Sequence, residues 1–325
     1  MKTIFLVIPC YNEEEVLPET AKRLRKKLLR LQETGAISKE SRAVFVDDGS
    51  KDKTWKMITA LHIKFPDMFD GLKLSRNEGH QNALFAGLMQ VKDHCDAAIS
   101  LDADLQDDIN AIDEMVQQFE AGYDIVYGVR SQRETDTAFK RTTARGFYKI
   151  MELMGVEVVY DHADYRLMSQ RALEGLAEFG EVNLFLRGIV PMIGYPSTKV
   201  YYERAARFAG ESKYPLKKML SFAAEGITSL SVKPIRMITG LGVLIFGVSI
   251  LMLIYFLIRH LTGHTVQGWT SIAFSVWAIG GLQLLAIGVI GEYIGKIYLE
   301  TKKRPKYLID TWLHEDGANA SEHKI

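Results

Sequence analysis

An Asp-Ala-Asp triplet at Asp102, Ala103 and Asp104 sets two carboxylates one residue apart, with Gln106 close behind. Such side chains offer hard oxygen ligands to a divalent cation that also holds phosphate oxygens. A cation there would neutralise charge building on a diphosphate leaving group. Three earlier stretches carry ligand-type side chains too: Pro9-Cys10-Tyr11-Asn12-Glu13-Glu14, Asp47-Asp48-Gly49-Ser50 and Asn77-Glu78-Gly79-His80-Gln81. Any one of these reads equally well as a turn or helix cap, with Ser50 or Asp52 able to cap the helix that follows the second. Gly79 would let backbone approach a ligand closely. Four such loops in succession are far more specific than any one.

The elements that must position these loops follow from hydrophobic patterning. Ile4 to Ile8, Ala43 to Val46, Gly71 to Leu74, Ala97 to Leu101 and Ile125 to Tyr127 are short apolar runs separated by amphipathic stretches. Strands apolar on both faces and alternating with helices predict an α/β fold, a mostly parallel sheet covered by helices on both sides. Ligands then lie beyond the C-terminal strand ends, where all four loops fall.

Lys plus Arg and Asp plus Glu number 40 each, so no global field directs the chain to nucleic acid. Cys10 and Cys95 form no disulfide framework, which suits a reducing compartment. Met1-Lys2-Thr3 leads straight into the first strand without a secretory pattern, so a cytosolic N-terminus is expected. Residues 238–258 and 269–290 are almost wholly apolar, each about 20 residues and long enough to span a bilayer. Buried core helices are the weaker reading. Lys217, Lys218, Lys233 and Arg236 precede the pair, and Lys296, Lys302, Lys303, Arg304 and Lys306 follow it. By the positive-inside rule both flanks are cytosolic and the loop between the spans faces outward. The expected organisation is a cytosolic catalytic domain over 1–213, a juxtamembrane segment over 214–236, a transmembrane hairpin over 237–298 and a cytosolic tail over 299–325. The juxtamembrane segment reads as an interfacial helix or, equally, as a surface helix of the soluble domain. Residues from His314 onward are polar enough to be expected disordered.

Pro9-x-Tyr11-Asn12-Glu13, Asp47-Asp48-Gly49-Ser50, Asn77-x-Gly79 and Asp102-Ala103-Asp104-x-Gln106 together resemble the family 2 glycosyltransferases of GT-A fold. Gly128-Val129-Arg130, Asp164-Tyr165-Arg166-Leu167-Met168 and Arg207-x-x-Gly210-Glu211-Ser212-Lys213-Tyr214, followed by the two spans, narrow the resemblance. They are similar to the polyprenyl-phosphate branch, bacterial bactoprenol glucosyltransferases and dolichol-phosphate mannose synthases. The resemblance implies that Pro9, Tyr11, Glu13, Asp48, Asn77 and Ala103 bind the nucleotide. It implies that Asp102, Asp104 and Gln106 hold the diphosphate with Mg²⁺ or Mn²⁺, Asp104 being counted with Asp164 as catalytic. Arg130 and Arg141 would meet phosphates, and Arg207, Ser212 and Lys213 the phosphate of a lipid acceptor. Asp164 would orient that acceptor or take its last proton, the alternative being a structural pair with Arg166. The family's usual proline after Gln106-Asp107 is absent, Asp108 and Ile109 standing there, which leaves the next helix start open.

A phosphate monoester has its second pKa at about 6 and is already nucleophilic at neutral pH, so positioning and charge compensation matter more than a general base. The expected reaction is an inverting, metal-dependent transfer of a sugar to polyprenyl phosphate at the bacterial plasma membrane, serving cell-envelope glycosylation. Glucose or N-acetylglucosamine from UDP leads and GDP-mannose follows. A processive polysaccharide synthase lacks support, because no Gln-x-x-Arg-Trp motif is present. A non-enzymatic scaffold or flippase subunit is the rival of another class. The resemblance also favours a homo-oligomer, and Gly240, Gly242 and Gly247 allow close helix packing.

Overall fold

The computed structural model describes residues 1–131, 154, 162–182, 184–203, 227, 231–262 and 269–314. One sheet holds eight strands: β1 (Ile4–Cys10), β2 (Arg42–Asp47), β3 (Phe69–Leu74), β4 (Ala97–Ser100), β5 (Ile125–Arg130), β6 (His162–Ser169), β7 (Ser197–Tyr202) and β8 (Ile309–Leu313). Their spatial order is β7-β5-β6-β4-β1-β2-β3-β8. The central strands β4, β1, β2 and β3 are mutually parallel, as are β5 and β7. Strand β6 runs against β4 and β5, and β8 runs against β3.

The five strands expected from apolar runs are all present. The chain moves outward from β1 through β2 to β3, then returns to set β4 on the opposite side of β1. The loops after β1 and β4 therefore flank a topological switch point, where open α/β sheets bind ligands.

Alternation along the strands supplies two apolar layers. Ile4, Leu6 and Ile8 of β1 face a core shared with α1 (Leu17–Glu33), α2 (Thr54–Lys64) and α4 (Ala111–Glu120). Phe5 and Val7 face the other core, with α3 (His80–Val91), α5 (Gln170–Ala177) and α6 (Leu186–Met192). Helix α1 shows the pattern at its plainest. Leu17, Ala21, Leu24, Leu28 and Leu31 are buried along one stripe, while Lys22, Arg23 and Lys26 stay exposed. Each fully buried Leu adds about 2 kcal/mol from removal of apolar surface from water.

Strand β8 falls inside the stretch expected to be a tail. It pairs with β3 from Gly71↔Leu313 to Leu74↔Ile309. Trp312 packs on the core beneath α3, and Lys306 donates to the Phe179 carbonyl at 3.0 Å while lying over the Phe85 ring. An edge strand of five residues with exposed Ile309 and Asp310 has too little alternation to announce itself in the sequence.

The chain divides into two compact units. The first takes in Met1–Tyr148, Glu157–Tyr214 and Arg304–Ile325, and the second Lys149–Val156 and Pro215–Lys303. The second unit contains two long helices, α7 (Lys233–Leu261) and α8 (Trp269–Lys302), covering both apolar stretches. Ile279–Lys302 within α8 is long and apolar enough to cross a membrane. The Tyr293 hydroxyl of α8 donates to the Ser231 carbonyl ahead of α7 at 2.6 Å.

Candidate active site

Pro9 is buried within β1, and the chain leaves the strand through Tyr11, which is exposed, and Asn12, whose φ of 54° is left-handed. This loop is laced to the one after β2. The Asn12 amide donates to Ser50 Oγ at 3.0 Å, and the Lys51 amide returns a bond to Asn12 Oδ1 at 2.8 Å. The Glu13 amide donates to Thr54 Oγ1 at 2.9 Å. Neither cap candidate stands at the N-cap of α2: Lys53 does, without a side-chain cap, while the Asp52 carboxylate accepts from the amides of Thr54 and Glu14 and ties the first loop to the second.

Asp48 is buried, and its carboxylate braces the third loop. Oδ1 accepts from the Glu78 amide at 2.7 Å, while Oδ2 accepts from the Gly79 amide at 3.0 Å and from Asn77 Nδ2 at 3.1 Å. Burial pushes Asp48 above the ordinary carboxylate value, against the pull of the two amides. Gly49 makes this junction possible. Its φ is 66°, and a Cβ there would lie 2.6 Å from the Arg76 and Asn77 backbone. In this arrangement Asp48 and Asn77 shape the crevice wall through each other.

After β4 the chain turns sharply through Leu105, a buried residue at φ 58°. Ala103 is buried and its carbonyl accepts from Thr20 Oγ1 of α1 at 2.8 Å, which fixes the turn from beneath. The Gln106 amide donates to Asp104 Oδ1 at 3.1 Å. Asp102 is pushed up to about 6 by burial, with Asp107, Asp164 and Asp104 adding to the rise and His80 opposing it. Solvent still reaches about a third of its side chain, 36%, through the crevice.

The oxygen donors of Asp102, Asp104 and Gln106 fit a divalent cation chemically, and the crowding of negative charge around Asp102 is what such a cation relieves. Among the described residues no group of three or more His, Cys, Asp or Glu is arranged to hold a metal. Two carboxylates suit Mg²⁺ or Mn²⁺ when phosphate oxygens and water complete the coordination.

Two clusters sit beside these carboxylates. Register sets Arg130 opposite Tyr202 at the ends of β5 and β7. Arg130 Nε donates to the Tyr202 hydroxyl at 3.3 Å, the Tyr202 hydroxyl donates to Asp107 Oδ1 at 2.5 Å, and Arg130 lies 3.7 Å from that carboxylate. Tyr165 packs edge-on against Tyr202 and donates to the Asp108 carbonyl at 3.0 Å. The two rings form an aromatic wall there. Where proline was expected, the Asp108 carboxylate accepts from the Asn110 amide, and α4 starts at Ala111.

The second cluster centres on Asp164. Arg166 donates to Asp164 Oδ1 at 2.7 Å, the pairing considered from sequence as the structural alternative. Arg187 of α6 adds bonds from Nε at 3.3 Å and a terminal nitrogen at 3.1 Å. Burial opposes ionisation of Asp164, but Arg187 and Arg166 outweigh it and hold the carboxyl well below the usual range. His80, the first residue of α3, lies 3.5 Å from Asp102 Oδ1 and 3.8 Å from Asp164 Oδ2, joining the two acidic groups. Gln81 Oε1 accepts from the Leu186 amide at 2.9 Å and ties α3 to the start of α6.

Asp102, Asp164, Arg130 and their neighbours thus meet at the switch point. Arg141, Arg207, Ser212 and Lys213 lie outside the described residues. Sequence reasoning singled out neither Arg187 nor Tyr202. Arg187 stands in Phe185-Leu186-Arg187-Gly188, which carries no ligand pattern of its own, and Tyr202 enters only through the β5–β7 register.

The class is that of a glycosyltransferase built on a mostly parallel, Rossmann-like α/β sheet. The chain belongs to glycosyl transferase family 2, whose model matches residues 5–176. It is 53% identical over 311 residues to an uncharacterized glycosyltransferase of Bacillus subtilis, YkoT, covering 96% of this chain and 92% of that one. It is 41% identical over 310 residues to the bactoprenol glucosyl transferase of Shigella phage SfV, covering 94% of this chain and 97% of the relative. Among solved structures, mannosyl-3-phosphoglycerate synthase from Rubrobacter xylanophilus aligns over 73% of this chain and 74% of its own, at 13% identity and a TM-score of 0.47.

Proposed function

We propose that this glycosyltransferase moves a sugar, glucose or N-acetylglucosamine, from a nucleoside-diphosphate sugar, with UDP favoured, to a polyprenyl phosphate. The observation that carries the reading is the gathering of Asp102, Asp104, Asp164 and Arg130 at one switch point. Near full-length similarity to a bactoprenol glucosyl transferase supports the lipid acceptor.

A phosphate oxygen of the acceptor attacks the anomeric carbon, and the bond from that carbon to the nucleoside diphosphate breaks with the electron pair leaving on the diphosphate. One displacement inverts configuration, giving a β-linked product from an α-linked donor. Asp102, Asp104 and Gln106 would hold Mg²⁺ or Mn²⁺, which supplies charge neutralisation for the leaving diphosphate. The loop from Pro9 to Glu13, including Tyr11, receives the base and ribose, and Asp48 and Asn77 shape that pocket. Arg130 compensates phosphate charge from the β5 end. Arg141, Arg207, Ser212 and Lys213 retain their roles toward phosphates and the lipid headgroup on the strength of the sequence resemblance.

We read α7 and α8 as a hairpin that crosses the bacterial plasma membrane twice. The basic flanks favour cytosolic ends. The return of the chain to the α/β unit as β8 supports an even number of crossings. The test of the activity is to offer purified protein a panel of nucleotide sugars with undecaprenyl phosphate and weigh the lipid product. A lipid gaining one hexose or N-acetylhexosamine mass is expected, and no gain with any donor contradicts the reading.

A further inference from the structure

Asp164 carries one negative charge and faces two guanidinium groups, whose environments differ. Arg166 is fully buried, bound to Asp164 and to the Leu186 carbonyl at 3.3 Å. It is a fixed part of the wall. Arg187 keeps 34% of its side chain open to solvent while two of its nitrogens bind Asp164. A carboxylate that accepts from both Nε and a terminal nitrogen of one guanidinium fixes the plane of that group.

The Arg187–Asp164 pair lies beside the reaction crevice. Asp164 is 3.8 Å from His80, and His80 is 3.5 Å from Asp102. The Arg187 backbone is held as well, since the preceding Leu186 amide bonds Gln81 of α3, the helix that carries His80. Arg187 is thus a half-open cation on a rigid mount, two side chains from the carboxylate that would share a metal with the donor diphosphate. Phosphate is the anion whose geometry a guanidinium edge matches, and it occurs in both the donor diphosphate and the acceptor monoester.

We propose that Arg187 binds a phosphate group during sugar transfer and that Asp164 is the positioning residue that holds it, rather than a proton acceptor. This rests on the reading of the chain as a transferase acting on a nucleotide sugar and a polyprenyl phosphate. A carboxylate clamped by two arginines is a weak base, and an acceptor already ionised at neutral pH has little need of one. Asp164 then acts on the reaction through Arg187.

The experiment is steady-state kinetics of the full-length protein in detergent, varying nucleotide sugar and undecaprenyl phosphate in turn, for wild type, Arg187→Gln, Arg187→Lys and Asp164→Asn. Loss of a charge-assisted phosphate contact predicts a KM about 10- to 100-fold higher for one substrate in Arg187→Gln. A rise for nucleotide sugar assigns the contact to the donor, and a rise for lipid assigns it to the acceptor. Arg187→Lys, which keeps charge without the fork, is expected in between, and Asp164→Asn raises the same KM by a smaller factor. If Arg187→Gln fails to fold, Arg187→Lys carries the test alone. Both KM values within about twofold of wild type in the folded arginine variants, with only a lowered thermal midpoint, overturn the proposal in favour of a structural ion pair. A kcat loss in Asp164→Asn with both KM values unchanged overturns the positioning role. Absence of turnover in the wild type overturns the transferase reading itself and this proposal with it, whereas wild-type turnover with unchanged variant KM overturns this proposal alone.

Discussion

Asp102 lies among Asp104, Asp107 and Asp164, and that crowding is the electrostatic case for a cation between the enzyme and a diphosphate. Removing one charged ligand while keeping its shape should expose the dependence. Asp104→Asn is expected to lower kcat at least about 100-fold, with excess Mn²⁺ restoring part of the loss. Activity within threefold of wild type would exclude Asp104 from the metal site. The two cysteines make the opposite prediction. Burial, with Asp96 and Asp93 beside it, pushes the Cys95 thiol up to about 12, and burial pushes Cys10 well above its ordinary value. A raised thiol pKa leaves almost no thiolate at pH 8, so an aromatic disulfide reagent should label neither cysteine until the protein is unfolded. Rapid labelling of the native protein would contradict this burial. The acidic residues were legible in the sequence because carboxylates at strand ends are conspicuous. Arg187 was not, because its importance depends on a contact with Asp164, 23 positions away.

At the scale of elements, the loops after β1, β2 and β3 behave as one assembly. Asp48 stitches the second to the third through two amides and Asn77. Asp48→Ala leaves those donors without their acceptor and should cost about 3 kcal/mol, read as a lowered thermal midpoint together with weaker nucleotide binding. Unchanged stability would mean that the loops hold without it. Strand β8 offers a second test. Truncation before Ile309 bares the β3 edge and removes Trp312 from the core, so the shortened protein should melt lower and aggregate, as exposed edges do. A truncated protein as stable as the full chain would make β8 dispensable. The five expected strands were legible because burial on both faces writes continuous apolar runs such as Ile4 to Ile8. Strand β6 was hidden because its sequence, His-Ala-Asp-Tyr-Arg-Leu-Met-Ser, carries the site's Asp164 and the buried Arg166. A buried ion pair, Asp164 with Arg166, interrupts the apolar signal there.

For the whole molecule, the hairpin and the α/β unit share one chain that leaves the sheet after β7 and rejoins it at β8. The proposed topology predicts that a single cysteine introduced between 263 and 268, with Cys10 and Cys95 replaced, reacts with a membrane-impermeant maleimide added to intact cells. Protection there, with labelling only after lysis, would reverse the orientation. The apolar stretches and their basic flanks were plain in the sequence, while the return to the sheet was not, because it depends on pairing across more than 230 residues between β3 and β8. The central claim joins these scales: a metal-bound nucleotide sugar at the switch point is attacked by a lipid phosphate from the membrane. Its most direct test is incubation of the purified protein with undecaprenyl phosphate and UDP-glucose or UDP-N-acetylglucosamine, with and without chelator, and mass analysis of the lipid. The account predicts a sugar-phosphate lipid that disappears with chelator and returns with Mg²⁺ or Mn²⁺. A product formed equally well in the chelator's presence, or no lipid product with any nucleotide sugar, would contradict it.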